Sequence, residues 1–359
     1  MLGQISMFGD EKQTSNDWKW NMSTDYPEKN GLKVFSCFAC GGGSTMGYKL
    51  CGCDVIGDLE IDPRMNKVYV ENHKPKYNFV EDIRDFNKRD DLPEELYNLD
   101  ILDGSFPCSS FSMSGDREKG WGIKKKFKEG QKEQTLDDLA FVFIETVAKL
   151  RPKVVISENV EGLMKGNAWK YIQEIYKQFN KIGYQVKHWL LKGEKMGVPQ
   201  TRHRVFFVAT RLPFNLDFIN MYFNYKEILF KEIKQGIGDK VSCSVYELIS
   251  NSKETDKSLA DINLRLYNKS SRFNEMIVWD NQITSTIHNH GFYRANDITK
   301  FTVEDYRNAS TFPQDYNFMD QTTSYICGMS VPPVMMKRVV TRLIESGLFD
   351  YKLGVKNGT

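Results

Sequence analysis

Three stretches of the chain combine reactive side chains with surroundings that would aim them. In GSFPCSSFS, residues 104–112, Cys108 directly follows Pro107 and precedes small hydroxyl residues. Proline fixes its own φ and restricts its neighbour, which suits aiming a thiol more than packing one. The alternative is a buried core cysteine, the usual fate of this residue type. In VVISENVEGL, Glu158 follows an apolar run, where an acid is either a helix cap or a working group; Asn159 can take the cap and free Glu158. In VPQTRHRVFFV, Gln200, Arg202 and Arg204 alternate on an extended segment, so the three are expected to share one face. Guanidinium groups there suit an oxyanion, a carbonyl or a phosphate, although an edge strand with ordinary ion pairs reads the same way.

The elements that must hold these groups can be read from the apolar pattern. KVFSCF, CDVIGDLEID, NLDILDG, KVVISEN, YQVKHWLL and RVFFVAT read as strands, and LDDLAFVFIETVAKL and AWKYIQEIYKQFNKIG as helices between them. Such alternation predicts an α/β fold, a doubly wound and mostly parallel sheet. Ligands bind such sheets outside the carboxyl ends of the strands, which is where Cys108 and Glu158 fall. The rhythm breaks after Arg211. Residues 212–310 read as a smaller, irregular domain, and VMMKRVVTRLIESGLF as a helix returning to the large domain within 311–359. Residues 1–30 read as a polar extension, and 31–211 as the catalytic and cofactor-binding domain.

The first strand runs into CGGGSTMG and a helix, a place where Gly41, Gly42 and Gly43 would let backbone approach a ligand. Glu60 ends the next strand about 20 residues on, where an acid accepts from ribose hydroxyls. Asp82 would end a short third segment and meet an adenine edge. The dinucleotide fingerprint fails, because Met46 stands where its third glycine belongs. That argues against a nicotinamide cofactor and leaves S-adenosylmethionine open.

Composition bounds the class. The chain has 359 residues, 40% hydrophobic, with a formal net charge of +2. No apolar run reaches the roughly 18 residues of a membrane span, and no signal-peptide core precedes the fold, so a cytoplasmic, non-membrane protein is expected. Seven cysteines, an odd number, argue against a disulfide framework, and no ligand pair has zinc-like spacing, so no metal is expected. Lys124, Lys125, Lys126 and Lys128 form the one basic cluster, which taken alone reads more readily as a solvated loop.

A thiol, an acid and an arginine beside an adenosine pocket suit one reaction. Thiolate addition to carbon 6 of cytosine makes carbon 5 nucleophilic enough to take an electrophilic methyl. The acid supports charge at ring nitrogen 3, and a base then removes the carbon 5 proton.

The ordered set VFSCFACGGGS, EIDP, EDI, SFPCSSFS, SENV, VPQTRHRV, FTVEDYRNASTFP and YICGMSVPP resembles the cytosine-5 DNA methyltransferases of bacteria and phages from about Leu32 to Phe349. The resemblance implies the class I S-adenosylmethionine-dependent fold. It implies Cys108 as nucleophile, Glu158 at ring nitrogen 3 and the exocyclic amine, Arg204 at the cytosine carbonyl, and Arg202 in support. Phe38, Glu60, Ile61, Asp82 and Pro107 would line the cofactor pocket, with the glycine run and Ile83 beside them. DREKGWGIKKKFKEG would close over duplex DNA once the target base is flipped out, its lysines meeting phosphates.

Residues 212–310 would read the target sequence, with Arg272, Thr284, Thr286, His288 and Arg294 as candidate contacts, and Ser109 would also contact DNA. Cys40, Ser105, Ser109 and Met329 depart from the family pattern. Met329 puts one cofactor-side hydrogen bond in doubt. The expected assembly is a monomer on double-stranded DNA, with a cognate restriction endonuclease acting separately. The alternatives are an RNA (tRNA) cytosine-5 methyltransferase or a non-catalytic DNA-binding regulator; a nicotinamide-dependent oxidoreductase fits poorly.

Overall fold

The computed structural model describes residues 13–107, 139–165, 168–270 and 275–351. Cys108, Ser109, Lys124, Lys125, Lys126, Lys128 and Arg272 lie outside the described residues. The strands are β1 Lys33–Cys37, β2 Asp54–Glu60, β3 Tyr77–Val80, β4 Ile101–Gly104, β5 Val154–Val160, β6 Gln185–Lys192, β7 Gln200–Thr201 and β8 His203–Thr210. All but β7 form one seven-stranded sheet in the order β3-β2-β1-β4-β5-β8-β6. Neighbours from β3 to β5 are parallel; β8 runs antiparallel to both β5 and β6. The doubly wound, mostly parallel sheet read from the sequence is therefore the fold.

Strand side chains alternate between two cores, as a pleated ribbon covered on both faces requires. Phe35 and Cys37 of β1, Val155 of β5 and Val205, Phe207 and Ala209 of β8 face the helices Leu139–Leu150 and Ala168–Lys181. Val34, Val154, Ile156, Phe206 and Val208 face the C-terminal helix Pro333–Glu345, which does return to the large sheet. Because β1 lies between β2 and β4, the winding reverses there, and sheets of this kind bind ligands in a crevice outside the carboxyl ends of those strands.

Beyond residue 211 the chain forms the helices Cys243–Ser250 and Leu259–Tyr267 and the strands β9 Met276–Val278, β10 Thr284–Ser285, β11 Phe292–Arg294 and β12 Thr299–Lys300. Leu248, Ile249, Leu259, Ile262, Ile277 and Ala295 make a small core there. The short β10 pairs in parallel with β7, which joins this region to the arginine segment of the large sheet.

Residues 13–30 are more than a polar arm. Trp18 and Trp20 are 9% and 5% exposed in a cluster with Phe230, Phe292, Phe312 and Tyr316, and the Trp20 Nε1–H donates to the Thr311 carbonyl at 2.9 Å. The polar residues around the two aromatics mask that anchoring in the sequence.

Candidate active site

Two turns and one strand pair build the rim of the crevice. After β1 the chain turns through Phe38, Cys40 and Gly42, all in the left-handed region at φ 57°, 47° and 81°. Two of these positions carry side chains, a strained arrangement that surrounding contacts must hold. Glu60, at the end of β2, holds it. Its carboxylate accepts from the Cys40 N–H at 2.7 Å and from the Asp62 N–H at 2.9 Å. Burial raises the Glu60 pKa, and these N–H donors oppose the rise.

The three glycines are demanded by protein rather than by open ligand space. An added Cβ would lie 2.6 Å from Ile326 at Gly41, 2.1 Å from the His73 ring at Gly42 and 2.2 Å from the Val331 carbonyl oxygen at Gly43. Their smallness seats the turn against the C-terminal segment.

Asp82 ends the short run after β3 and accepts from the Arg84 N–H at 2.8 Å, capping the helix Ile83–Phe86. Ile83 is 4% exposed and packs with Phe35 and Phe86, so its side chain belongs to the core and not to the rim. Phe38 and Ile61 are half-buried at the crevice, and Pro107 is exposed there. A left-handed turn at β1, carboxylates at the ends of β2 and β3, and an aromatic ring beside them match a nucleoside with two ribose hydroxyls. The residues therefore fit S-adenosylmethionine.

The facing rim carries an acid–guanidinium pair. Glu158 and Arg204 are diagonal neighbours on one face of the β5–β8 ladder, since Glu158 lies opposite Phe206 and Arg204 opposite Val160. The Arg204 Nε stands 2.7 Å from the Glu158 Oε1, and both side chains are largely buried. Burial lowers the Arg204 pKa, and the adjacent carboxylate opposes that shift. Arg204 also donates to the His203 carbonyl oxygen at 2.8 Å.

Asn159 caps no helix, because β5 continues to Val160. Its Oδ1 accepts from the Val160 N–H at 2.9 Å, and its Nδ2 donates to the Phe106 carbonyl oxygen at 3.2 Å. It thus ties β5 to the backbone entering Pro107 and Cys108. Sequence reasoning missed this role; its only signal was an asparagine beside the acid.

Gln200, Arg202 and Arg204 do not converge on one target. The break between β7 and β8 rotates them apart. Gln200 is fully buried; it donates to the Ala309 carbonyl at 3.1 Å and accepts from the Ile287 N–H at 2.9 Å. Arg202 is 2% exposed and donates to the carbonyls of Gly328 and Ser330, both at 2.9 Å. Burial, then the charge of Arg204, lowers its pKa. Arg202 therefore anchors the C-terminal segment around Met329, itself 59% exposed.

Among the recognition candidates, Arg294 is corrected outright. It is 1% exposed, grips Asp305 through Nε at 2.8 Å and Nη2 at 3.0 Å, and donates to the Gly236 carbonyl at 2.9 Å. A buried guanidinium locked to a buried carboxylate cannot meet a phosphate or a base edge. Thr284 is buried as well, and the Thr286 hydroxyl donates to the Thr201 carbonyl at 2.6 Å, which ties β10 to β7. Among the described residues no cluster of His, Cys, Asp and Glu has metal-site geometry, and no helix is long and apolar enough to cross a membrane.

A sheet with one reversed strand, a buttressed turn at its switch point and an acid–arginine pair across the crevice define the methyltransferase class of α/β proteins. The sequence model of the C-5 cytosine-specific DNA methylases matches residues 32–345, and the chain belongs to that family. It is 30% identical over 208 residues to the Type II methyltransferase M.FnuDI of Fusobacterium nucleatum, a match covering 58% of this chain and 55% of that relative. It is 24% identical over 335 residues to M.Bsp6I of a Bacillus strain, covering 88% of this chain and all of the relative. The fold is shared with a DNA modification methyltransferase from an E. coli prophage, with a TM-score of 0.64 at 16% identity over 89% of this chain and all of that one. It is also shared with Spodoptera frugiperda DNMT2, with a TM-score of 0.61 at 14% identity over 88% of this chain and all of that one.

Proposed function

We propose that the protein methylates carbon 5 of a cytosine flipped out of a specific duplex DNA sequence, through a transient bond from Cys108 to carbon 6. The observation that carries this reading is the buried Glu158–Arg204 pair at 2.7 Å, beside the backbone that leads to Cys108. The paired guanidinium keeps the carboxylate in place, so Glu158 can hold ring nitrogen 3 and the exocyclic amine while Arg204 donates to the ring carbonyl. Cys108, which follows Phe106 and Pro107 in sequence, adds its sulfur to carbon 6 and pushes electrons to carbon 5. Phe38, Glu60 and Asp82 would hold S-adenosylmethionine, which would supply a sulfonium-activated methyl for carbon 5. A base then removes the carbon 5 proton, and the sulfur leaves carbon 6. Residues 212–310 read the sequence context, and the Type II names of the relatives support a separate cognate endonuclease.

The test is covalent trapping on duplex DNA carrying 5-fluorocytosine, in which fluorine replaces the proton that must leave. The parent protein should trap, and Cys108→Ser should not. Absence of trapping on a pool that contains all short sequence contexts would favour a non-catalytic regulator. Tritium transferred from labelled cofactor only into tRNA would move the substrate to RNA.

A further inference from the structure

Arg204 is the second residue of β8, just after the break at Arg202, and strand ends open first unless something holds them. His203, the first residue, supplies the hold. Its side chain leaves the strand on the face opposite Arg204. There its Nε2 stands 2.9 Å from Glu194 Oε1, and its Nδ1 stands 3.3 Å from Glu161 Oε2. Glu161 opens the short turn Glu161–Met164 that directly follows β5, and Glu194 lies in the turn Gly193–Lys195 that directly follows β6. β5 and β6 are the two strands that flank β8. One imidazole ring therefore clips the start of β8 to both neighbours, where Arg204 lies opposite Val160 and His203 opposite Lys192.

The charges at this clip are matched. A carboxylate only accepts, so the ring serves both acids at once only when both its nitrogens donate, which makes it cationic. Lys165 stands 3.1 Å from the other face of the set, at Glu161 Oε1. Lys165 first, and then His203, hold the Glu161 carboxyl below its ordinary range, while burial opposes them. Glu194 is 8% exposed, and its second oxygen is buried with no hydrogen-bond partner among the described residues. The bond from His203 is thus what secures that acid. Through its main chain His203 also reaches the rim. Its carbonyl oxygen accepts from Arg204 Nη1 at 2.8 Å, while Arg204 Nε stands 2.7 Å from Glu158.

We infer that His203 is a positioning residue. By bridging Glu161 and Glu194 it fixes the start of β8, so that Arg204 meets Glu158 in a single geometry. It acts through Arg204, from the opposite face of the strand. The inference deepens the function proposed above and rests on it, because the pair being positioned is the one that would hold the cytosine.

Two readouts on the full chain test it. The first is solvent exchange of the Arg204 Nε–H, followed by magnetic resonance with isotopic nitrogen in the arginines and assigned by its loss in Arg204→Lys. His203→Gln, which is neutral, should speed that exchange by about tenfold or more. The Arg294 Nε–H, bonded to Asp305 at 2.8 Å, should stay at the parent's rate. The second readout is steady-state methyl transfer to DNA. His203→Gln should lower kcat by about 10–100-fold, the scale of a small misplacement of a working group. KM for DNA and for the cofactor should stay within about twofold of the parent. His203→Arg keeps the charge and can donate to both acids, so it should recover most of the slow exchange and of kcat. Glu194→Gln conserves volume, should shift both readouts the same way as His203→Gln, and carries the test if the latter does not fold. Parental exchange at Arg204 in the folded His203→Gln and Glu194→Gln proteins would overturn the assignment. So would equal loss of protection at Arg294, which marks general loosening. A parent that transfers no methyl group to DNA would instead overturn the proposed function, and the exchange rates would still decide the role of His203.

Discussion

Glu158 separates chemistry from packing more cleanly than any other residue at the rim. Glu158→Gln keeps the shape and removes the charge that Arg204 faces at 2.7 Å. Methyl transfer should fall by about 10²–10⁴-fold, the range for losing a positioned acid. Tritium incorporation at saturating DNA measures it. Asp103, in β4, makes a different prediction. It is 1% exposed, accepts from the Ser36 hydroxyl at 2.7 Å and the Tyr48 hydroxyl at 3.1 Å, and burial pushes its pKa up to about 7. In the unfolded chain it ionises near its ordinary value of 3.8. Between those two values the native state binds the extra proton, so its contribution to stability is largest below about pH 4. That contribution declines as pH rises to about 7 and is flat above. Asp103→Asn removes this slope. Compared with the parent, the variant should gain a few kcal/mol between pH 4.5 and pH 8, at about 1.4 kcal/mol per unit of pKa shift, read from urea unfolding at both values. An equal difference at the two pH values would refute the linkage. Asp103 did not stand out beforehand and Asn159 was read as a helix cap, because an acid or amide in a short apolar run gains its meaning only from the strand beside it.

At the scale of elements, the turn after β1 is the most constrained part of the site. Gly42→Ala combines a φ of 81° with a Cβ 2.1 Å from the His73 ring, and that ring is buried and cannot swing aside. The left-handed backbone costs about 1–2 kcal/mol and overpacking about 1–3 kcal/mol. The melting temperature should drop by several degrees and S-adenosylmethionine binding should weaken in the folded fraction, both measurable by calorimetry. An alanine variant with the parent's melting temperature would contradict this account. The strands and long helices were legible because each is an apolar run or a clear amphipathic stripe of sufficient length. The break between β7 and β8 was not. Strict alternation at Gln200, Arg202 and Arg204 implied one shared face, but pairing of β7 with β10 turns Gln200 and Arg202 toward the C-terminal half.

At the scale of the whole molecule, residues beyond 211 are held to the large sheet by a buried polar network rather than by apolar packing alone. Gln200, Arg202 and Thr286 make that link, and Arg294 braces the region internally against Asp305 and the Gly236 carbonyl. Arg294→Ala leaves Asp305, fully buried, without its partner, at a cost of about 3–5 kcal/mol. The folded fraction should nonetheless bind DNA with the parent's dependence on salt, because no phosphate contact is lost. A shallower slope of log affinity against log salt would restore Arg294 as a DNA contact.

The sequence by itself determined the sheet, its rim and the order of reactive groups along it, since those depend on local apolar runs and on the residues directly after each strand. Tertiary structure alone decided which polar side chains stand at the rim and which are sealed in the interior. Glu158 and Arg294 are both charged residues at or near strand ends. One is paired at an open crevice and the other is sealed against Asp305. Burial and partnership are set by segments distant in the chain, and these carry no local signature.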